Sequence, residues 1–239
     1  ADVSYSGPIT ITLEATSNST CASTFDTVDV LITPAPVVNA GPPTTSICEG
    51  SNYIVPSGSA SVQNVDANTI IWTKGTGDGT LVSATSLTPT YIPGPNDIAT
   101  GSVTLKLSAS GNNACSTPVS DNLILNIVKE PVVNAGADIT VCEGSINVAA
   151  SIQNAGTIQW TTSGGGYFID PTASSPIYIP SNSDLNSTVT LTVTVTPLSP
   201  CGTTKSDSVL YRINAKPTVV AGGDVTICQT TPTYQLQST

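Results

Sequence analysis

Ser187-Thr-Val-Thr-Leu-Thr-Val193 alternates apolar and hydroxyl side chains without a break. Val189, Leu191 and Val193 share one face, and Thr190 sits on the other. A period of two marks a β-strand with one buried side. The same phase recurs at Val103, Leu105 and Leu107 opposite Thr104, and at Ile9, Ile11 and Leu13 opposite Thr10. Each of the three blocks runs gap-free to a cysteine: Gly7 to Cys21, Gly101 to Cys115 and Ser187 to Cys201.

A second block follows each of these. Pro36-Val-Val-Asn-Ala-Gly41 leads to Ile47-Cys48-Glu49-Gly50, Pro131-Val-Val-Asn-Ala-Gly136 to Val141-Cys142-Glu143-Gly144, and Pro217-Thr-Val-Val-Ala-Gly222 to Ile227-Cys228. The two cysteine series return the same periods. Cys21 to Cys115 and Cys48 to Cys142 are each 94 positions; Cys115 to Cys201 and Cys142 to Cys228 are each 86. Agreement between independent markers identifies an internal repeat. A unit of that size can bury its own core.

Between these markers, Thr69-Ile-Ile-Trp72-Thr matches Thr157-Ile-Gln-Trp160-Thr, and Pro89-Thr-Tyr91-Ile-Pro93 matches Pro176-Ile-Tyr178-Ile-Pro180. Gly-rich turns lie between, at Gly75 to Gly79 and Gly164 to Gly166. About seven short strands per unit with turn signals between them predict tandem antiparallel β-sandwiches. The expected division is residues 1–33 as the last strands of a preceding repeat, 34–129 and 130–215 as whole repeats, and 216–239 as the opening of another. Very short, Pro-containing joints predict a stiff linear rod.

Composition narrows the function. Charged residues make up 9% of 239, the net charge is −10, and His and Met are absent. An acidic surface repels phosphate backbones and anionic lipid, which sets nucleic acid and membrane surfaces aside as partners. Without His there is no Ser-His triad, and no G-x-S-x-G turn occurs. No enzyme is expected. Six cysteines with so little charge point to an oxidising, extracellular setting. The absence of His and of C-x-x-C pairs argues against zinc. No apolar run approaches the ~18 residues of a membrane span. The chain reads as a window cut from something longer.

Candidate sites are few. Trp72 and Trp160 could stack on sugar, but their shared context predicts core positions on the third strand. Gly75 to Gly79 lacks the Lys-Ser/Thr of a phosphate loop and reads as a turn. Asp66, Asp78, Asp97, Asp138, Asp170 and Asp184 are the carboxylates that calcium would need; no D-x-D-x-D spacing gathers them, so solvated turn carboxylates are the expectation.

The cysteines admit several pairings. Pairing within a unit, Cys48–Cys115 and Cys142–Cys201, would span opposite ends of a sandwich. That is one strand-length of ~25 Å at ~3.3 Å per residue, where a disulfide needs Cα atoms within ~7 Å. The constant 27-residue spacing, as in Cys21–Cys48, spans more. Pairing across a joint brings Cys48 to Cys201. It leaves Cys21 and Cys115 for upstream partners and Cys142 and Cys228 for downstream ones. Sequence alone leaves the connectivity open.

The run P-x-V-N-A-G, V-C-E-G, a central W-T and a late Cys resembles the PKD-like and immunoglobulin-like repeats of giant Bacteroidota cell-surface adhesins, the SprB-type gliding-motility adhesins among them. Trp72 followed by Gly77-Asp78-Gly79 is similar to the W-x-F-G-D-G stretch of PKD domains; Gly164-Gly-Gly166 departs from it. The resemblance implies export by type IX secretion, display at the outer membrane beside motility and secretion machinery, and adhesion to an external surface or polysaccharide. It also makes Asp26-Thr27-Val28 and Asp207-Ser208-Val209 candidate O-glycosylation acceptors at Thr27 and Ser208, although Asp121-Asn122-Leu123 breaks the series. PKD-like units also serve as spacers or carbohydrate-binding modules of secreted glycoside hydrolases, which is the alternative reading.

Overall fold

A computed structural model describes residues 7–112, 114–230 and 233–235. The chain divides into two compact units. One holds the described residues up to Lys129 together with Ser199–Cys201; the other holds Glu130–Leu198 and the described residues from Gly202 on. Each unit is a β-sandwich.

In the first unit, the alternation around Leu105 produces the strand Ser102–Ala109, with every second residue buried. It pairs antiparallel with Val119–Val128 on one side and Ile71–Lys74 on the other. Thr44–Cys48 completes this four-stranded sheet. The opposing layer is made of Tyr53–Ile54, Thr90–Ile92 and Thr80–Val82, with the pair Val37–Asn39 and Ser61–Gln63 beside it. Trp72, Leu105, Leu107, Leu123 and Leu125 from the first layer meet Tyr53, Val55 and Tyr91 from the second in one core. Burying each such side chain is worth roughly 1.5–3 kcal/mol.

The second unit repeats this plan. Ile139–Cys142, Lys205–Asn214, Ser187–Pro197 and Ala155–Thr162 form the four-stranded sheet. Ile146–Asn147, Ile177–Ile179 and Tyr167–Phe168 face it. The core gathers Trp160, Tyr178, Leu191, Val193, Tyr211 and Ile213. Phe168 bridges Trp160 and Tyr178, with ring centroids 5.8 and 5.2 Å away in tilted geometries.

One pairing in each unit differs from the antiparallel expectation. Thr44–Cys48 runs parallel to Val119–Val128, with Cys48 opposite Val128, and Ile139–Cys142 runs parallel to Lys205–Asn214. Cys48 and Cys142 are the last residues of these edge strands. The opening segment of each repeat therefore spends its second half on the edge of the sheet that carries the final strand.

A short helix, Pro95–Thr100, was not expected from the strand-rich composition. Proline at its first turn and Gly101 at φ 80° beyond its end are the start and stop signals of a single helical turn. A 3-10 turn, Asn182–Asp184, takes its place in the second unit. Asn64 and Asn154 both adopt φ 56°, and their side-chain amides donate to the carbonyls of Ala35 and Glu130, the residues preceding Pro36 and Pro131.

Ahead of the first sandwich, Gly7–Ala15 and Thr24–Ile32 form an antiparallel hairpin. Its side chains are almost all exposed.

Candidate functional site: a cystine and two buried carboxylates

Cys48 and Cys201 form a disulfide, with Cα atoms 4.8 Å apart and a sequence separation of 153. Parallel pairing places Cys48 beside Val128, and the Cys201 Sγ lies 3.4 Å from the Val128 carbonyl oxygen. Cys21, Cys115, Cys142 and Cys228 are free thiols; all but the half-buried Cys115 are exposed. Cys115 has a setting like that of Cys201: its Sγ lies 3.8 Å from the Thr33 carbonyl oxygen and 3.7 Å from the Thr33 hydroxyl. Thr33 follows the hairpin's second strand as Val128 ends its own.

Two of the carboxylates expected in solvent are inside the protein. Asp97 and Asp184 are each 2% exposed. Asp97 accepts hydrogen bonds from the Tyr91 hydroxyl and from the backbone N–H groups of Asp78, Gly79 and Gly94. Asp184 accepts from the Tyr178 hydroxyl and the N–H groups of Gly165, Gly166 and Ser181. A buried charge persists only when it is so satisfied. Burial alone would raise both carboxyl pKa values, but at Asp97 the Tyr91 hydroxyl and the Gly94, Gly79 and Asp78 amides outweigh it. At Asp184 the Ser181 and Gly165 amides lead. Both groups end below the ordinary carboxylate range. Tyr91 and Tyr178 are shifted upward, by burial first and then by the carboxylate each one faces.

This arrangement explains the Gly-rich turns. A Cβ on Gly164 would stand 2.5 Å from the Asp184 carboxylate and 2.8 Å from the Tyr178 hydroxyl. On Gly77 it would stand 2.7 and 2.9 Å from Asp97 and Tyr91. The turn needs glycine so that backbone N–H groups can reach a carboxylate. The middle position differs between the repeats: Asp78 stands in one where the other has Gly165, whose Cβ would come 2.6 and 2.7 Å from the Ser183 and Ser181 hydroxyls.

The remaining acids do local work. Asp66 caps a 3-10 turn through Asn68 N–H. Asp78 accepts from Asn96 and Asp97 N–H, Asp138 from Leu210 N–H, and Asp170 from the Thr172 N–H and hydroxyl. Among the described residues, no group of three His, Cys, Asp or Glu side chains is placed to hold a metal. Two acids missed in the sequence tie the opening segment down: Asp121 accepts from Ala40 N–H and Asp207 from Ala135 N–H.

Trp72 and Trp160 lie on Ile71–Lys74 and Ala155–Thr162 and are buried. Trp160 Nε1 donates to the Ala173 carbonyl, whereas Trp72 Nε1 has no partner among the described residues. Thr27 and Ser208 are exposed, the Ser208 hydroxyl lying 2.8 Å from that of Thr192. A shallow pocket of about 200 Å³ lies beside Glu143, Gly144, Ile179 and Pro180, and one of about 110 Å³ lies at the matching Gly50, Ser51, Ile92 and Pro93. Both fall below the ~300–1,000 Å³ of small-molecule sites.

No protein-family model matches the chain, and no curated protein does. Among solved structures it is similar to the protocadherin gammaB7 EC3-6 cis-dimer structure, at 13% identity and a TM-score of 0.48, covering 86% of this chain and 60% of that one. It is also similar to mouse cadherin-23 EC22-24, at 17% identity and a TM-score of 0.46, covering 75% and 66%. A third similar structure is human mucin-like protocadherin EC1-2, at 13% identity and a TM-score of 0.45, covering 77% and 98%.

Proposed function

We propose that this chain is a repeat segment of an extracellular adhesive filament, and that its product is the transmission of tension. The supporting observation is the Cys48–Cys201 bond. Force applied along the chain enters through residues up to Cys48, crosses the sulfur–sulfur bond and leaves from Cys201. The intervening chain, which holds the first core except Ala40 and nine of the twelve buried residues of the second, is then bypassed. Sandwiches wired in this way resist extension even if a core opens.

The resemblance noted in the sequence supplies the finer reading: surface adhesion during gliding motility, after type IX export, with an external surface or polysaccharide as the target. The exposed Thr27 and Ser208 are the places for O-glycans in that setting. Immunogold labelling of filaments outside intact cells tests the location, and hexose-shifted peptides in the native protein test the glycans.

Single-molecule stretching tests the mechanical role. At roughly 3.3–3.6 Å per extended residue, the bypassed span of 153 positions represents roughly 500–550 Å of hidden length. That length should appear only after a reductant is added. Equal extension with and without reductant would overturn the reading.

A further inference from the structure

We propose that the shallow pocket around Arg212, on the outer face of the second sandwich, seats one hexuronate ring of an acidic polysaccharide. This seat rests on the adhesive reading for a polysaccharide as the target, and it names the class of sugar and the residues that hold it.

Arg212 is the only arginine in the chain. It is exposed on Lys205–Asn214, opposite Thr188 on one neighbouring strand and Thr140 on the other. Asp138, Ile139 and Leu210 complete with these three a pocket of about 210 Å³. The chain carries a net charge of −10, yet among the described residues the guanidinium has no ion-pair or hydrogen-bond partner. The one acid in the pocket is turned to another group: Asp138 Oδ1 accepts from the Leu210 N–H. A planar fork of donors without an anion is matched by a carboxylate, which it can hold through two parallel hydrogen bonds.

The first repeat provides an internal comparison. Leu210, Thr188 and Thr140 keep their kind there, as Ile124, Ser102 and Ser46. Ile124 is 42% exposed, as Leu210 is. Arg212, Asp138 and Ile139 stand where the first repeat has Asn126, Thr44 and Thr45. The Ile124 N–H is met there by the Pro43 carbonyl, so the same sandwich closes without either charge. The fold does not require the charged pair; a ligand gives it a use.

A hexuronate engages every group in the pocket. Its carboxylate accepts from Arg212, and a ring hydroxyl donates to the second oxygen of Asp138. Further hydroxyls exchange hydrogen bonds with Thr140 and Thr188. The C–H face of the ring covers Ile139 and Leu210, which are 46% and 42% exposed. Sulfate or phosphate dianion brings no donor for Asp138, and a neutral sugar leaves the guanidinium without an anion. The pocket is open and small, which suits one ring of a chain whose other rings stay in water. The acidity of the whole chain acts weakly here, because exposed charges farther than ~8 Å away are screened at physiological ionic strength.

The test titrates the 239-residue chain with trigalacturonate and with the neutral galactose trisaccharide, followed by amide NMR. We expect saturable shifts at the Thr140, Thr188, Leu210 and Arg212 amides. The neutral sugar should bind more weakly by roughly tenfold or more, the scale of one charge-assisted hydrogen bond. Arg212→Gln should weaken trigalacturonate binding to the same degree with an unchanged thermal midpoint. Arg212→Lys, which keeps the charge and loses the fork, should fall between the two. Equal binding of the neutral sugar, undiminished binding by a folded Arg212→Gln chain, or no saturable shift at the four amides would overturn the proposal. Each of those results would leave the tension-bearing role standing, because stretching with and without reductant decides that separately.

Discussion

The Tyr91 hydroxyl donates to Asp97 Oδ2 across 2.5 Å inside the first sandwich. Six residues separate the two in sequence, and Tyr178 and Asp184 repeat the spacing and the bond at 2.8 Å. Three amides complete each carboxylate's partners, drawn from the Gly-rich turn and from the start of the helical turn. One buried charge therefore ties together the Gly-rich turn, the tyrosine-bearing strand and the helical turn.

Replacing that charge should be costly. Asp97→Ala leaves the Gly79 and Gly94 amides and the Tyr91 hydroxyl without an acceptor, at about 1–3 kcal/mol for each orphaned buried group. Urea denaturation should show a loss of roughly 3 kcal/mol or more. Tyr91→Phe, which removes one donor of four, should cost about 1 kcal/mol. Equal losses from the two variants would show that the carboxylate does not organise the turn.

The same groups set the response to pH. Asp97 and Asp184 have folded pKa values below their unfolded value near 3.8. Their contribution is complete above that value and drains away as pH falls through the lowered one. Tyr91 is shifted upward from 10.0, so its contribution is complete below pH 10 and is lost in stronger alkali. Thermal melts between pH 2 and 6 should fall steeply at the acid end, and the Asp97→Asn, Asp184→Asn double variant should flatten that slope.

Opening the cystine should destabilise the fold as well as lengthen it. Cys48→Ser frees a closed loop of 153 positions, and removing a native disulfide typically costs about 2–5 kcal/mol. Reductant on the wild type should match the variant's loss in urea. A reductant effect that persists in Cys48→Ser would place the stabilising bond elsewhere.

The two tryptophans should answer differently to one substitution. Trp160→Phe breaks a bond to the Ala173 carbonyl, whereas Trp72→Phe removes an indole N–H that has no partner among the described residues. Lost area and cavity are similar, so Trp160→Phe should cost more by about 1 kcal/mol, the worth of one hydrogen bond. Denaturant midpoints of the two single variants decide the point. A larger loss from Trp72→Phe would contradict the account.

Much of the fold is legible in the chain because alternation and repetition are local properties. Val103 to Leu107 and Val189 to Val193 announce one-sided strands. Two cysteine series announce the period, and the shared Thr and Trp contexts announce a core position. The Tyr-to-Asp spacing of six, at Tyr91/Asp97 and Tyr178/Asp184, is also present in the chain, but an Asp among Pro, Ser and Asn ordinarily reads as a solvated turn.

The tertiary structure alone decided whether those groups meet. Asp97 is buried because a glycine turn some twenty residues earlier folds over it, and glycine lets backbone N–H groups approach where a Cβ would collide. Cys48 meets Cys201 because the opening segment switches to a parallel edge pairing, a choice that short apolar stretches do not encode. Periodicity sets which face of a strand is buried; which distant amides and sulfurs share a point is set only when the layers close.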